Sequence, residues 1–418
     1  MMALKNSWNK LDNAAKIYPA AISRSDTQVF RFSCELNEAV DGVVLQKALE
    51  QTLEVYDYYS MVLKRGMFWY YLEQSDIQPI VDKEHNKLCH KLYNRNKKSL
   101  LFEVSYYHNR INLEICHILS DGTGALNFLT AITIKYLTLR HNLPAIELDY
   151  TGSRSQMNND SFSHYYSGAK NKGEKLKNAC VLKGARYWDD NLRVITGHLS
   201  VKEVLNLAHE SGVTMSVYLS ALMLKSIADT LSVKDKKKPI ILCVPVNLRN
   251  FFPSQSLRNF FGTIYVSYNF SQSSNDFADI LESVKDCFKK NLTMESRKLQ
   301  LDSYSKIEHN PFAKIAPLPL KDICLRFAYD INMKKSTASL SNIGVVKFSP
   351  ELDKFVKAFD VCTGTNKLMA CVCSYNDTLS ISFTTPFISS DIERAFFTSL
   401  TSQGLSAVVY TNMSGGEQ

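Results

Sequence analysis

The stretch Ile111–Leu129, INLEICHILSDGTGALNFL, changes its periodicity once, and that change decides how the chain is read. Ile111, Leu113 and Ile115 alternate with Asn112 and Glu114, the period-two pattern of a half-buried strand. The alternation stops at Cys116-His117. Ser120-Asp121-Gly122-Thr123-Gly124 has turn composition, and Ala125, Leu126, Phe128 and Leu129 then resume at helical spacing. A histidine therefore stands where a strand ends, and strand ends are where scaffolds commonly present reactive side chains to a cleft. Imidazole titrates near neutrality, so His117 can take a proton from a hydroxyl or thiol and return it. Asp121, four residues on, either orients that ring from one helix face or turns away and braces the loop through a cation. Gly122 and Gly124 are expected to supply backbone angles that other residues resist. Strand alternation turns Cys116 to the face opposite His117, away from the cleft.

Upstream, Gln28–Leu36 reads as a strand and Val44–Tyr56 as an amphipathic helix with Leu45, Ala48, Leu49, Leu53 and Tyr56 on one face. Ser60–Leu63 and Met67–Leu72 read as a hairpin around Lys64-Arg65-Gly66, and Lys98–Tyr107 with Arg110–Cys116 as a second that delivers His117. A long helix is expected over Gly124–Arg140. Downstream, Asn191–Ser200, Pro239–Val246 and Thr263–Phe270 read as strands, and Lys367–Ser374 with Thr378–Thr384 as a late hairpin. Helices are expected over Val201–Ser211, capped by Ser200 with Glu203 three residues on, and over Thr214–Thr230, Asp276–Met294 and Ser390–Ser402. Strands and helices mix without regular βαβ repetition, so the class is α/β or α+β with mixed sheets. The polar, turn-rich residues 151–187 read as a crossover, dividing the chain into a half over 1–150 and a half over 188–418.

A chain of 418 residues suits two such halves better than one core. Its 45% hydrophobic and 22% charged content is that of an ordinary globular protein. The opening MMALKNSWNKLDNAAK lacks the apolar segment of a signal peptide. No apolar run approaches the roughly 18 residues of a membrane span, so the expectation is a cytoplasmic protein without an integral span. The ten cysteines are scattered, and Cys371-x-Cys373 has no second pair to close a zinc site, so reduced thiols and no metal are expected. The net charge of +8 favours anions. Lys170, Lys172, Lys175, Lys177 and Lys183, and Lys234 with Lys236–Lys238, form no stripe interleaved with aromatics, so no nucleic-acid partner is expected. They read as solvated surface, with the phosphates of a cofactor such as CoA as the functional alternative.

Three stretches in order carry a resemblance: His117-x-x-x-Asp121-Gly122; Val244-Pro-Val-Asn-Leu-Arg249 with Leu257-Arg-Asn-Phe-Phe-Gly262; and Ser339-Leu-Ser-Asn-Ile-Gly344. Together with the opening Leu11-Asp12-Asn-Ala-Ala-Lys16 and Val29-Phe-Arg-Phe, they resemble the CoA-dependent acyltransferase superfamily over nearly the whole chain. That group includes chloramphenicol acetyltransferase, plant BAHD acyltransferases, alcohol acetyltransferases and peptide-synthetase condensation domains. Cys116 stands where condensation domains carry a second histidine, and the DFGWG segment of the BAHD enzymes is missing; both departures point toward the bacterial alcohol-acetyltransferase branch. The resemblance implies two chloramphenicol acetyltransferase-like halves with a tunnel between them. It also implies transfer of an acyl group, acetyl foremost, from acyl-CoA to an alcohol or amine, with His117 as general base. Ser341, with Asn342 as second choice, would steady the oxyanion. Asp121 would pair with Arg249, or with the nearby Arg258, to brace the loop, and Gly122 would allow the turn. Two alternatives share these residues: a condensation-type enzyme whose donor rides on an acyl carrier protein, and a non-catalytic binding module. The sequence has no Gly-x-Ser-x-Gly elbow and no glycine-rich phosphate loop, which argues against a serine hydrolase and a nucleotide hydrolase.

Overall fold

A computed structural model describes residues 8–84, 87–146, 152–169, 177–309 and 314–413. Its strands are β1 (Trp8–Lys10), β2 (Val29–Leu36), β3 (Met61–Arg65), β4 (Tyr70–Gln74), β5 (Asp82–Lys83), β6 (Phe102–Tyr107), β7 (Arg110–Cys116) and β8 (Arg193–Ser200). They continue as β9 (Ile240–Asn247), β10 (Phe261–Tyr268), β11 (Ala338–Val345), β12 (Val356–Thr363), β13 (Met369–Tyr375), β14 (Thr378–Thr385) and β15 (Val408–Thr411). Three sheets result, ordered β12-β2-β7-β6-β5, β10-β9-β11-β13-β14-β8-β15 and β1-β4-β3. Most pairs are antiparallel; β11 runs parallel to both β9 and β13. The class is mixed α/β, as expected.

Each large sheet has its own apolar core. The helices Gly42–Leu53 and Gly122–Arg140 bury Leu45, Ala48, Leu49, Phe128 and Ile132 in the first, with Phe32, Leu113 and Ile115. The helices Met215–Thr230, Phe277–Asn291 and Asp391–Thr401 enclose the second, with Leu242, Ile264, Leu340 and Ile381. Ser200 caps the helix Val201–Glu210 by accepting from the Glu203 amide at 3.3 Å.

Two expectations are corrected, and two regions without an expected element gain one. β7 is not half-buried: Asn112 and Glu114 are as enclosed as their apolar neighbours, because Ser33 donates to Asn112 Oδ1 and Arg31 binds Glu114. Alternation marks two faces, and here the polar face is covered and internally paired. The first hairpin turns later, at Gly66–Trp69, because Met61–Arg65 pairs with Tyr70–Gln74. β12, which carries no assigned element in the sequence reading, pairs with β2 and so places a late segment in the early sheet. The segment after Asn291 continues as two further helices, Met294–His309 and Leu318–Met333.

The crossover is partly ordered. Arg154–Met157 and Ser161–Tyr165 are short helices, Phe162 joins a small cluster with Phe260 and Leu301, and Tyr165 donates to the Pro253 carbonyl. Lys170, Lys172, Lys175 and residues 1–7 lie outside the described residues. Among the described residues no single helix is long and apolar enough to cross a membrane; one bent pair, Val201–Glu210 with Met215–Thr230, passes by length and composition, but the second of these helices is core. None of the ten cysteines is in a disulfide, and no group of His, Cys, Asp or Glu among the described residues is arranged to hold a metal.

Candidate active site

β7 ends at Cys116, and the next residue is held by backbone at both sides. The His117 amide donates to the Gln28 carbonyl at 2.8 Å, and its carbonyl accepts from Asn259 Nδ2 at 2.9 Å. Gln28 sits at φ 56°, a left-handed angle unusual for a residue with a side chain. Tyr329 holds it there: Gln28 Nε2 donates to the Tyr329 hydroxyl at 2.8 Å, and that hydroxyl donates to Asp26 at 2.6 Å. The His117 ring is partly exposed and lies among Phe30, Tyr18 and Phe261, with centroids 4.4, 5.4 and 6.2 Å away.

Burial against these rings lowers the His117 pKa from 6.5 to about 4, overriding the Asp121 charge and the Asn259 amide, which act upward. The imidazole is therefore neutral at pH 7. Its enclosed nitrogen, Nδ1, makes no close hydrogen bond, although the Asn259 side chain and the Ser120 backbone stand near enough to act on the ring. Asn259 Oδ1 is likewise enclosed without a close hydrogen bond. Cys116 faces into the core, and burial pushes its thiol up to about 12, as expected of a structural rather than a reactive sulfur.

Asp121 caps the helix Gly122–Arg140, with Oδ1 accepting from the Gly124 amide at 3.1 Å. Its Oδ2 accepts from Arg249 Nη1 at 2.7 Å and from the Phe260 amide at 2.8 Å. Of the two readings open for Asp121, the brace is the one formed. Arg249, not Arg258, is the partner. The pair is single-pronged, because Arg249 Nη2 is occupied by the Ser256 and Arg258 carbonyls at 2.8 and 2.7 Å. Arg258 instead lies 3.7 Å from buried Asp12. Burial raises the Asp12 pKa to about 6 against the pull of Arg258. Asp12 also accepts from Asn259 Nδ2 at 3.1 Å, so a chain Arg258–Asp12–Asn259 reaches the His117 carbonyl.

The glycines matter through space, not through backbone angle. Neither Gly122 nor Gly124 has a positive φ. A Cβ on Gly124 would stand 2.1 Å from the Leu257 carbonyl oxygen, and one on Gly122 would stand 3.1 Å from Ile343 Cδ1. β11 therefore touches the histidine loop at Ile343. Ser341, two residues earlier and half-buried, is off the core face that takes Ala338 and Leu340. Asn342 is committed elsewhere: its Nδ2 donates to Ser216 at 2.9 Å, and its Oδ1 accepts from the Gly344 amide at 2.9 Å in a strand irregularity. Asn259, Asp12, Tyr18 and Gln28 are the site residues that the sequence reading did not single out. Asn259 and Asp12 lie inside the quoted motif segments, but nothing local marks them as partners across 247 residues.

The histidine loop is thus held between the two large mixed sheets, at β7 of one and β11 of the other. No protein-family model and no curated protein matches the chain. Solved structures do. TRI101 of F. sporotrichioides, crystallised with coenzyme A and T-2, is 11% identical over 96% of this chain and 99% of its own, with a TM-score of 0.66. The TRI3 trichothecene 15-O-acetyltransferase of Fusarium sporotrichioides is 11% identical over 94% of each chain, with a TM-score of 0.57. A variant of the starter condensation domain of rhizomide synthetase RzmA, crystallised with C8-CoA and Leu-SNAC, is 12% identical over 94% of each chain, with a TM-score of 0.60. At such identities the likeness establishes the fold, which is the one shared by CoA-dependent acyltransferases and condensation domains.

Proposed function

We propose that this protein transfers an acyl group from a CoA thioester to a hydroxyl, with His117 as general base. The observation that carries the reading is an imidazole fixed at a strand end, with its backbone held by Gln28 and Asn259 and its ring partly exposed among Phe30, Tyr18 and Phe261, where burial lowers its pKa. A base must be unprotonated at working pH, and desolvation secures that here. His117 Nε2 takes the acceptor proton as the acceptor oxygen bonds to the thioester carbonyl carbon. Ser341 donates its hydroxyl hydrogen to the oxyanion formed there, a contribution typically worth about 100- to 1000-fold in rate. His117 then returns the proton to the departing sulfur. Asp121 and Arg249 touch neither reactant and hold the loop. The thioester itself supplies the activated acyl carbon and a good leaving group. Ten cysteines outside any disulfide support a reducing, cytoplasmic setting.

The test is thiol release from acetyl-CoA and longer acyl-CoAs, with a panel of alcohols and amines, for wild type and His117→Ala. Release that requires an acceptor and is lost in the variant is the expected result. Release only from a carrier-bound donor would replace CoA by a carrier protein. Ligand binding without release from either donor would refute turnover and leave a binding module.

A further inference from the structure

The helix Leu318–Met333 buries Leu318 and Lys321 and turns an apolar stripe to water. Its inner face carries Lys321 and Tyr329, while Leu320, Ile323, Cys324, Phe327 and Ile331 fall within about 100° of arc on the outside. Ile323 is 68% exposed and Phe327 69%. Among the described residues no side chain covers them, whereas a surface helix ordinarily turns charge to water. The stripe does not end with the helix. The Leu318 amide donates to the Met67 carbonyl and Lys321 Nζ to the Phe68 carbonyl, so the β3–β4 turn adjoins it, with Met67 75% exposed and Phe68 exposed beside it.

Charge borders this patch asymmetrically. Arg65, Lys314 and Lys334 are exposed at the turn and at the two ends of the helix. The acidic side chains there are engaged: Asp330 by Arg326 and Asp322 by the Tyr70 hydroxyl. Behind the patch lies a cavity of about 810 Å³ walled by Trp8, Trp69, Tyr71, three lysines including Lys314, and Glu73, which pairs with Lys64 at 3.4 Å. Lys321 ties the helix to that wall, with Nζ 3.6 Å from the Trp69 ring centroid. The inner face of the same helix reaches the site, because Tyr329 holds Gln28, whose carbonyl holds the His117 amide.

From this juxtaposition we infer that the outer face of Leu318–Met333 and the Met67-Phe68 turn form a peripheral docking surface for an anionic phospholipid bilayer. Aliphatic and aromatic side chains on one face, ringed by cations, are what an interfacial helix inserts and what an anionic headgroup layer attracts. Docked in this way, the helix that holds Gln28 at the site lies against the lipid, and the acceptor class is a membrane-borne hydroxylated lipid. That last step rests on the acyl-transfer reading; the docking does not.

Co-sedimentation of the full chain with phosphatidylcholine vesicles, and with vesicles carrying about three-tenths phosphatidylglycerol, tests it. Binding to the anionic vesicles is expected to be at least about tenfold tighter than to the neutral ones and to weaken with salt. Ile323→Glu with Phe327→Glu should reduce it at least about tenfold, with unchanged circular dichroism. Arg65→Glu with Lys334→Glu, which spares the apolar stripe, should abolish the preference for anionic lipid. Absence of vesicle binding, equal binding by the apolar-face variant, or a dimer in light scattering that this variant dissolves would each overturn the proposal. None of these bears on thiol release with a soluble alcohol, so docking and acyl transfer fail separately.

Discussion

His117→Gln should change how stability depends on pH, and the structure sets both the sign and the size. In the folded protein the imidazole has a pKa of about 4, against 6.5 for the unperturbed side chain. Between those values the unfolded chain binds a proton that the folded chain refuses, so folding loses stability as pH falls below 6.5 and the loss levels off below 4. Linkage puts the cost to wild type between pH 7.5 and pH 4.5 at about 2.5 kcal/mol from this residue alone. Asp12 and Asp26 work in the opposite direction. Burial raises both to about 6, so each favours folding as pH drops through that value toward 3.8. Both carboxyls remain in the variant and cancel when the two proteins are compared. Urea unfolding of wild type and His117→Gln at the two pH values gives the required double difference. The variant should keep about 2.5 kcal/mol more of its pH 7.5 stability on acidification than wild type keeps. Parallel losses, within about 0.5 kcal/mol, would show an imidazole that titrates normally, and the desolvated base would have to be abandoned.

The same pKa should appear in catalysis. The acid limb of kcat/KM for thiol release should fall near pH 4 and not near 6.5, since protonated His117 cannot accept the acceptor proton; a limb at 6.5 would mean that the ring is solvated. Arg249→Ala leaves Asp121 enclosed without its cation, and a cost of about 3–5 kcal/mol is expected in urea unfolding, because removing one partner of a buried pair strands the other. A loss under 1 kcal/mol would show that the Phe260 and Gly124 amides suffice to hold that carboxylate. Ser341→Ala should lower kcat about 100- to 1000-fold with little change in melting temperature. Asn342→Ala should do the reverse, because its amide is spent on Ser216; equal effects on kcat would remove Ser341 from its role.

Much was legible along the chain because local rules govern it. The hairpin Phe102–Tyr107 with Arg110–Cys116, the histidine after it and the helix ending at Arg140 follow from alternation, turn composition and helical spacing, which act between neighbours. The pairing of Asp121 with Arg249 came from ordered motifs; no spacing rule chooses between Arg249 and Arg258. That choice was made by the fold, which turns the Arg258 guanidinium to the Asn158 and Lys10 carbonyls beside Asp12 and points Arg249 at the loop.

What tertiary structure alone decided is of three kinds, and each has a physical reason. β12 completes a sheet begun more than 300 residues earlier, because edge hydrogen bonds are satisfied by whichever strand the chain path brings alongside, and periodicity does not name the partner. The Arg258–Asp12–Asn259 chain exists because the fold buries residues far apart in sequence together, and once water is excluded Asp12 takes the Asn259 amide and the Arg258 charge as partners. The outward apolar face of Leu318–Met333 is invisible to pattern reading for the opposite reason. Periodicity in a sequence identifies an apolar face, but which face meets water depends on what the rest of the chain packs against it.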